Sequence, residues 1–258
     1  MIQQDSAKFW FPKLLAPGPS SWLRTEVPNT VFVDYNEDAL AESLIGQHTD
    51  EYERLYYAVE AAIRHEIAGP AFIRTDLTSA KHLGKHAYTV VDADADLNTA
   101  LLKTLSHAFM KSYHSKVKSS AIMVRTLIDV KHEVTGIGGL KHEVTAFGGL
   151  PIGNEWRIFA HQVGHQCSHQ YWPKDALEGH MDNGAKIPEW KGYPQGWVRT
   201  DILDAASAAA KAMGAGKWSV DFVADKNDKY WLLDMATAGN SYHAPGCTYR
   251  GLDKQDRL

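Results

Sequence analysis

Cysteine is scarce in this chain: Cys167 and Cys247 are the only two, widely separated and fitting neither a disulfide framework nor a paired-cysteine zinc motif. Reduced thiols in a cytoplasmic protein are the expectation. No apolar run approaches the roughly 20 residues of a membrane span, and the N-terminus MIQQDSAKFWFPKLLAPGP lacks a basic region followed by an apolar one. A soluble chain is expected. There is no basic excess either: 27 Lys and Arg against 31 Asp and Glu give a net charge of -4. That excludes a global basic field for nucleic acid or anionic membrane and leaves only a local basic groove open.

What is present alternates between strands and helices over 258 residues, enough for one large domain or two lobes. Residues 1–27 hold Phe9-Trp10-Phe11-Pro12 and Pro17-Gly18-Pro19, which suits an irregular segment packed on the body. A short strand is expected at Thr30 to Asp34, and a helix over 50–67, with Leu55, Val59, Ala62, Ile63 and Ile67 on one face, stopped by Gly69-Pro70. Residues 71–82 predict a strand entering a small-polar loop flanked by Arg74 and Lys81. Backbone N–H groups and hydroxyls in such a loop suit phosphate oxygens, although a solvated turn has the same composition. A helix over 96–113 with a Leu97, Leu101, Leu105 and Phe109 stripe follows, then a strand-forming run at 120–130 carrying Arg125.

The segment KHEVTGIGGL at 131–140 returns as KHEVTAFGGL at 141–150. One repeat is too little for a solenoid, so a tandem duplication that lengthens a loop or hairpin is expected. Its glycines do not spell the dinucleotide fingerprint. Beyond it, a strand at 155–160 places Glu155 and Arg157 on one face, and a turn returns the chain to Tyr171-Trp172. His161, His165, Cys167 and His169 straddle that turn without paired-ligand spacing, which favours an exposed polar hairpin over a zinc site. Residues 182–196, rich in Gly, Pro and Trp, suit a lid or binding loop. A helix over 197–213 carries Ala205, Ala206, Ala208, Ala209 and Ala212 for close packing.

Residues 217–246 form the most informative stretch. Two apolar, β-prone runs, 218–223 and 230–235, flank a polar turn holding Asp225, Asn227 and Asp228, which is a hairpin signature. Each run carries one acid, Asp221 or Asp234. A carboxylate among apolar residues needs a cation, a donor or an outward face to stay ionised, so the pair makes a candidate divalent-metal site.

Taken in order, FIRTDLTSAKH at 72–82, IMVRTLID at 122–129, GLPIGNEWRIFA at 149–160 and VDFVADKNDKYWLLDMATAGNS at 220–241 resemble the ATP-grasp superfamily, particularly its compact phage-type members. The resemblance implies an α+β, two-lobed ATP-grasp fold with the nucleotide cleft between a small and a large lobe. It implies an N-terminal pre-grasp segment at 1–69, a small lobe at 70–125 and a large lobe at 126–258. Arg74 resembles the small-lobe residue that meets the nucleotide phosphates, and Thr78, Ser79 and Lys81 the loop that covers them. Arg125, Thr126, Leu127 and Ile128 resemble the hinge whose backbone meets the adenine edge. Arg157 resembles the arginine that stabilises the transferring phosphoryl group, so Arg157 and Lys81 are the candidate catalytic residues. Asp221 and Asp234 resemble the two magnesium-holding acids.

Two positions depart from the pattern. The usual carboxylate-x-asparagine is here Asp234-Met235-Ala236, which leaves Asn240 or Ser241 to substitute for the amide, and Thr78-Ser79-Ala80 stands where the family has a glycine-rich loop. The implied activity is ATP- and Mg2+-dependent ligation: a small-molecule or peptide carboxylate is activated as an acylphosphate and attacked by an amine. A kinase or nucleotidyl transferase on the same scaffold, or a non-catalytic ATP-binding module, are the alternatives.

Overall fold

The computed structural model describes residues 5–16, 27–45, 47, 49–67, 69–77, 89–91, 96–130, 133–135, 141–143, 145–146, 150–172, 177, 180–182 and 198–243. Helices and antiparallel sheets give the expected α+β class. The chain divides into two compact units, one formed by Pro28–Ile128 and the other by Met1–Val27 with Asp129–Leu258. Beside the expected boundaries at 69 and 125, this division places residues 28–69 in the smaller unit and the segment before Pro28 in the larger one.

In the smaller unit, β1 (Thr30–Asp34), β2 (Ala71–Thr75), β3 (Thr89–Val91) and β4 (Ala121–Thr126) form a sheet in the order β1-β4-β2-β3. Among the described residues the same unit holds the single turn α2 (Glu37–Leu40), α3 (Asp50–His65) and α4 (Leu97–Ser115). Both long helices start on side-chain caps, Thr49 accepting from the Tyr52 amide and Asp96 from the Thr99 amide. Leu55, Val59 and Ala62 of α3 and Leu97, Leu101 and Leu105 of α4 pack with Val33, Ala71, Ile73, Ile122 and Val124 in one core. These strand residues share a face because opposed residues point the same way and side chains alternate. The other face of the sheet carries Phe72, Arg74, Met123 and Arg125.

The larger unit is built on a four-stranded antiparallel sheet, β10-β9-β11-β12, made from β9 (Glu155–His161), β10 (Gly164–Gln170), β11 (Lys217–Ala224) and β12 (Tyr230–Thr237). One face of it, with Trp156, Ile158, Trp218, Val220, Phe222, Leu232 and Met235 all buried, is apolar. Helix α5 (Thr200–Met213) packs against β9, β10 and β11 through buried Ile202, Ala205, Ala206, Ala209, Ala210 and Met213. The alanines let the helix approach closely; Ala208 and Ala212, expected on that face, are half-buried.

The N-terminal segment differs from expectation. Instead of an irregular stretch, Ala7–Leu15 is helix α1, capped by Ser6 and burying Ala7, Trp10, Phe11 and Leu14. That spacing is helical, but Pro12 inside it, which lacks an N–H and crowds the preceding turn, hid the pattern. Helix α1 packs on α5 and β12, and Phe9 stacks on Trp218 with ring centroids 6.1 Å apart.

The duplicated segment pairs with itself. Glu133–Thr135 (β5) and Lys141–Glu143 (β6) form a two-stranded antiparallel hairpin with Glu133 opposite Glu143, equivalent positions of the two copies. A second small ladder, β7 (Thr145–Ala146) with β8 (Leu150–Pro151), follows it. The expected lid loop at 182–196 lies outside the described residues except Asp182. Among the described residues no helix is long and apolar enough to cross a membrane.

Leu101 is fully buried in the smaller unit's core. Leu101→Ala should lower stability by about 3 kcal/mol, since deleting a buried leucine leaves a cavity that relaxes only partly; chemical denaturation followed by circular dichroism measures it.

Candidate functional site

Strand register fixes the site. His169 on β10 lies opposite Arg157 on β9, Arg157 opposite Asp221 on β11, and Asp221 opposite Asp234 on β12. Four polar residues therefore form one row across all four strands, on the face away from α5. The β11–β12 hairpin that carries both acids is set by its turn. There Asp225 accepts from the amides of Asn227 (2.8 Å) and Lys229 (3.0 Å) and from the Trp231 indole (3.0 Å). Partial burial alone would raise its pKa, but these donors hold it below the usual carboxylate range. A bulge after Asp221 makes Leu233 the extra residue of β12, so Leu232 faces the helix while Asp234 keeps its place in the acid row.

Arg157 and Asp221 form a bidentate ion pair, Nε to Oδ1 and Nη2 to Oδ2, both 2.8 Å. Their side chains are 12% and 5% exposed, so the pair is charge-assisted and largely dry. Burial would lower the guanidinium pKa, but the adjacent Asp221 carboxylate overrides it and raises the value well above normal. Arg157 Nη1 also reaches the Tyr242 carbonyl at 3.5 Å, and its guanidinium lies over the Tyr171 ring at 4.6 Å. Next to Arg157 on the same strand, Glu155 accepts from the Trp172 indole at 3.0 Å.

The residues after β12 fold over this face. Ser241 Oγ meets Ser219 Oγ at 2.5 Å, and His243 stacks on Phe159 with centroids 4.0 Å apart while its Nε2 bonds the Ala238 carbonyl at 2.9 Å. His169 sits among them, 7% exposed, with Nδ1 donating to the Gln170 carbonyl at 2.8 Å. Burial first, and then the Arg157 charge, push its pKa below the ordinary value, so it is neutral at pH 7.

The expectation of an exposed polar hairpin is thus corrected at His169. It is corrected also at Cys167, which is disulfide-bonded rather than a reduced thiol; Cys247 lies outside the described residues. Distance along the sequence, on which reduced thiols were expected, does not limit approach in space. With this disulfide the cytoplasmic expectation loses its support from the cysteines. Among the described residues no group of three or more His, Cys, Asp or Glu side chains could hold a metal ion.

Asn240, expected as a third metal ligand, is turned elsewhere. Its Nδ2 donates to Asp5 Oδ2 at 2.6 Å, and Asp5 Oδ1 accepts from the Thr237 amide (2.7 Å) and hydroxyl (2.9 Å). Thr237 pairs with Trp218 on the apolar side of the sheet, so Asn240 belongs to the tie between α1 and β12 and not to the acid row.

On the smaller unit, Arg74 and Arg125 lie on the sheet face opposite the core, both about 5% exposed or less. Arg125 Nε donates to Thr30 Oγ1 at 3.1 Å. The amide of Thr126 donates to the Asn29 carbonyl and that of Leu127 to the Pro70 carbonyl, both at 2.9 Å. Those two N–H donors are committed inside the unit. Thr78, Ser79 and Lys81 lie outside the described residues.

Lone pairs decide whether Asp221 and Asp234 suit a magnesium ion. Each carboxylate oxygen has two acceptor positions, so those of Asp221 retain one apiece beside Arg157, and Asp234 Oδ1 accepts the Met235 amide at 3.0 Å. Two hard carboxylates in register fit an ion that takes one or two protein carboxylates and completes its shell with water and phosphate. A cleft of about 580 Å3 in the same unit is lined by Arg199, Ile202, Phe222 and Tyr230 among others. It opens on the helix side of the sheet and contains none of these residues.

No family model matches the chain, and neither does any curated protein. Among solved structures it is similar to a RimK domain ATP-grasp protein from Sphaerobacter thermophilus (13% identity, 96% of this chain and 63% of that one, TM-score 0.48). It is also similar to the D-alanine-D-alanine ligase of Coxiella burnetii (11%, 90% and 47%, TM-score 0.46). A third is N5-carboxyaminoimidazole synthetase from Staphylococcus aureus complexed with ADP (10%, 90% and 44%, TM-score 0.43). The first is an ATP-grasp protein, the second a ligase and the third a synthetase in complex with ADP. The chain spans less than two thirds of the length of each.

Two outcomes follow from the ion pair and the histidine. Asp221→Ala should cost about 3–5 kcal/mol in chemical denaturation, because it strands a buried guanidinium without its partner. His169 is bound to fewer protons folded than unfolded, so its contribution to stability is complete above about pH 6.5 and falls away as the pH drops through its depressed folded value. Melting temperatures from pH 8 to pH 4 should fall less steeply in His169→Gln.

Proposed function

We propose that the chain is an ATP-grasp ligase, using ATP and Mg2+ to activate a carboxylate as an acylphosphate for attack by an amine. The observation that carries this is the row Arg157, Asp221 and Asp234, held in register on one face of a rigid sheet. An arginine beside two carboxylates is the set that phosphoryl transfer requires: cationic compensation for developing negative charge, and hard oxygen ligands for the metal that accompanies the nucleotide.

In this reading Asp221 and Asp234 hold the magnesium, which when bound neutralises phosphate charge. Arg157 stabilises the transferring group. One N–H on Nη1 and one on Nη2 lie beyond its bonds to Asp221 and the Tyr242 carbonyl and would serve the phosphoryl oxygens. Arg74 contacts the nucleotide phosphates with the loop containing Thr78, Ser79 and Lys81, and Arg125 to Ile128 contribute side chain and carbonyl contacts to the base. The substrates are small-molecule or peptide carboxylates and amines, and the compact phage-type members remain the subgroup the sequence resembles. The cytoplasm, where ATP and Mg2+ are abundant, is the compartment this activity suits.

Incubation of the protein with ATP, Mg2+ and a panel of carboxylates and amines should release ADP and phosphate in acceptor-dependent fashion. Asp234→Asn should abolish the Mg2+-dependent turnover while leaving the circular dichroism spectrum unchanged. ADP without phosphate would indicate a kinase, pyrophosphate an adenylyl transfer. A rise in melting temperature with ATP and Mg2+ but no acceptor-stimulated turnover would indicate a binding module.

A further inference from the structure

Arg157 is fixed in its plane by Asp221, but a bidentate pair alone leaves the guanidinium free to tilt about the line joining the two carboxylate oxygens. Against it stands Tyr171, with the guanidinium carbon over its ring, 4.6 Å from the centroid. Tyr171 is 5% exposed and is itself anchored on three sides. Its amide donates to the Glu155 carbonyl at 2.8 Å. Its ring meets that of Trp172 edge to face, centroids 4.9 Å apart at 73°, and the Trp172 indole is bound by Glu155. Ala146, Ile152 and Leu177 complete a small apolar cluster around both rings.

We propose that Tyr171 is the positioning residue of Arg157: its ring, held by the Glu155 and Trp172 arrangement, sets the plane in which the guanidinium meets an anionic group. The proposal rests on the assignment of Arg157 to phosphoryl transfer. It also gives the satellite cluster a task that the main core does not need, since neither Tyr171 nor Trp172 belongs to the face that packs on α5. A planar, delocalised cation is attracted to a ring face and must be correctly tilted to donate two N–H bonds at once. A small misplacement of such a group costs rate more than affinity.

The test is a kinetic cycle with a second readout that needs no turnover. Tyr171→Phe keeps the ring and should leave kcat within about twofold, whereas Tyr171→Leu should lower kcat about tenfold or more with KM for ATP little changed. In an Arg157→Ala background, Tyr171→Leu should cost nothing further. Equal losses in both backgrounds, a Phe variant as slow as the Leu variant, or an unaffected Leu variant would each overturn the proposal. The NMR signal of the Arg157 Nε–H should keep its exchange protection in Tyr171→Phe and lose it in Tyr171→Leu, and unchanged protection in the Leu variant also overturns it. If the Leu variant does not fold, Tyr171→Met is measured in its place. Should Arg157→Ala itself leave kcat unchanged, the phosphoryl-transfer assignment fails, and the exchange measurement still decides whether Tyr171 holds the guanidinium.

Discussion

The larger unit turns on one charged pair between neighbouring strands. Arg157 and Asp221 sit opposite each other on β9 and β11, each too buried to be left alone, because an unpartnered charge in a dry setting costs several kcal/mol, on the order of the stability of a whole domain. The pair forms the middle of a row whose other acid, Asp234, is delivered by the hairpin turn around Asp225. Everything else near it is arranged against this row: Tyr171 above the guanidinium, the Tyr242 carbonyl on its remaining edge, His169 neutral beside it. Arg157 and Asp221 keep bonding capacity beyond their mutual pair, so a ligand can add contacts to the row without first breaking it.

The two faces of this sheet divide the labour. Trp156, Ile158, Val220 and Phe222 alternate with Glu155, Arg157, Phe159, Ser219 and Asp221, so a single strand supplies both the core and the chemistry. Alanines on α5 bring the helix close on the apolar side, and α1 closes the edge by stacking Phe9 on Trp218 and tying Asp5 to Thr237 and Asn240. The smaller sheet repeats the scheme, with helices on one face and Arg74 and Arg125 on the other.

Much of this was legible. Periodicity located every long helix except α1 and both arms of the acidic hairpin, and period-two alternation put Glu155 with Arg157. The partner of Asn240 was not legible, because a turn residue three positions past a strand can face either way, and here Asp5, 235 positions earlier in the chain, receives its Nδ2.

By itself the sequence determined the α+β class, the strand carrying Arg157, the hairpin carrying Asp221 and Asp234, and a likeness to the ATP-grasp pattern, because these follow from local spacing and residue type. Only the tertiary structure decided that the four strands align His169, Arg157, Asp221 and Asp234 in one row, that Tyr171 caps the arginine, and that Cys167 is oxidised. Those depend on register between strands and on contacts between segments far apart in the chain, which no local pattern encodes.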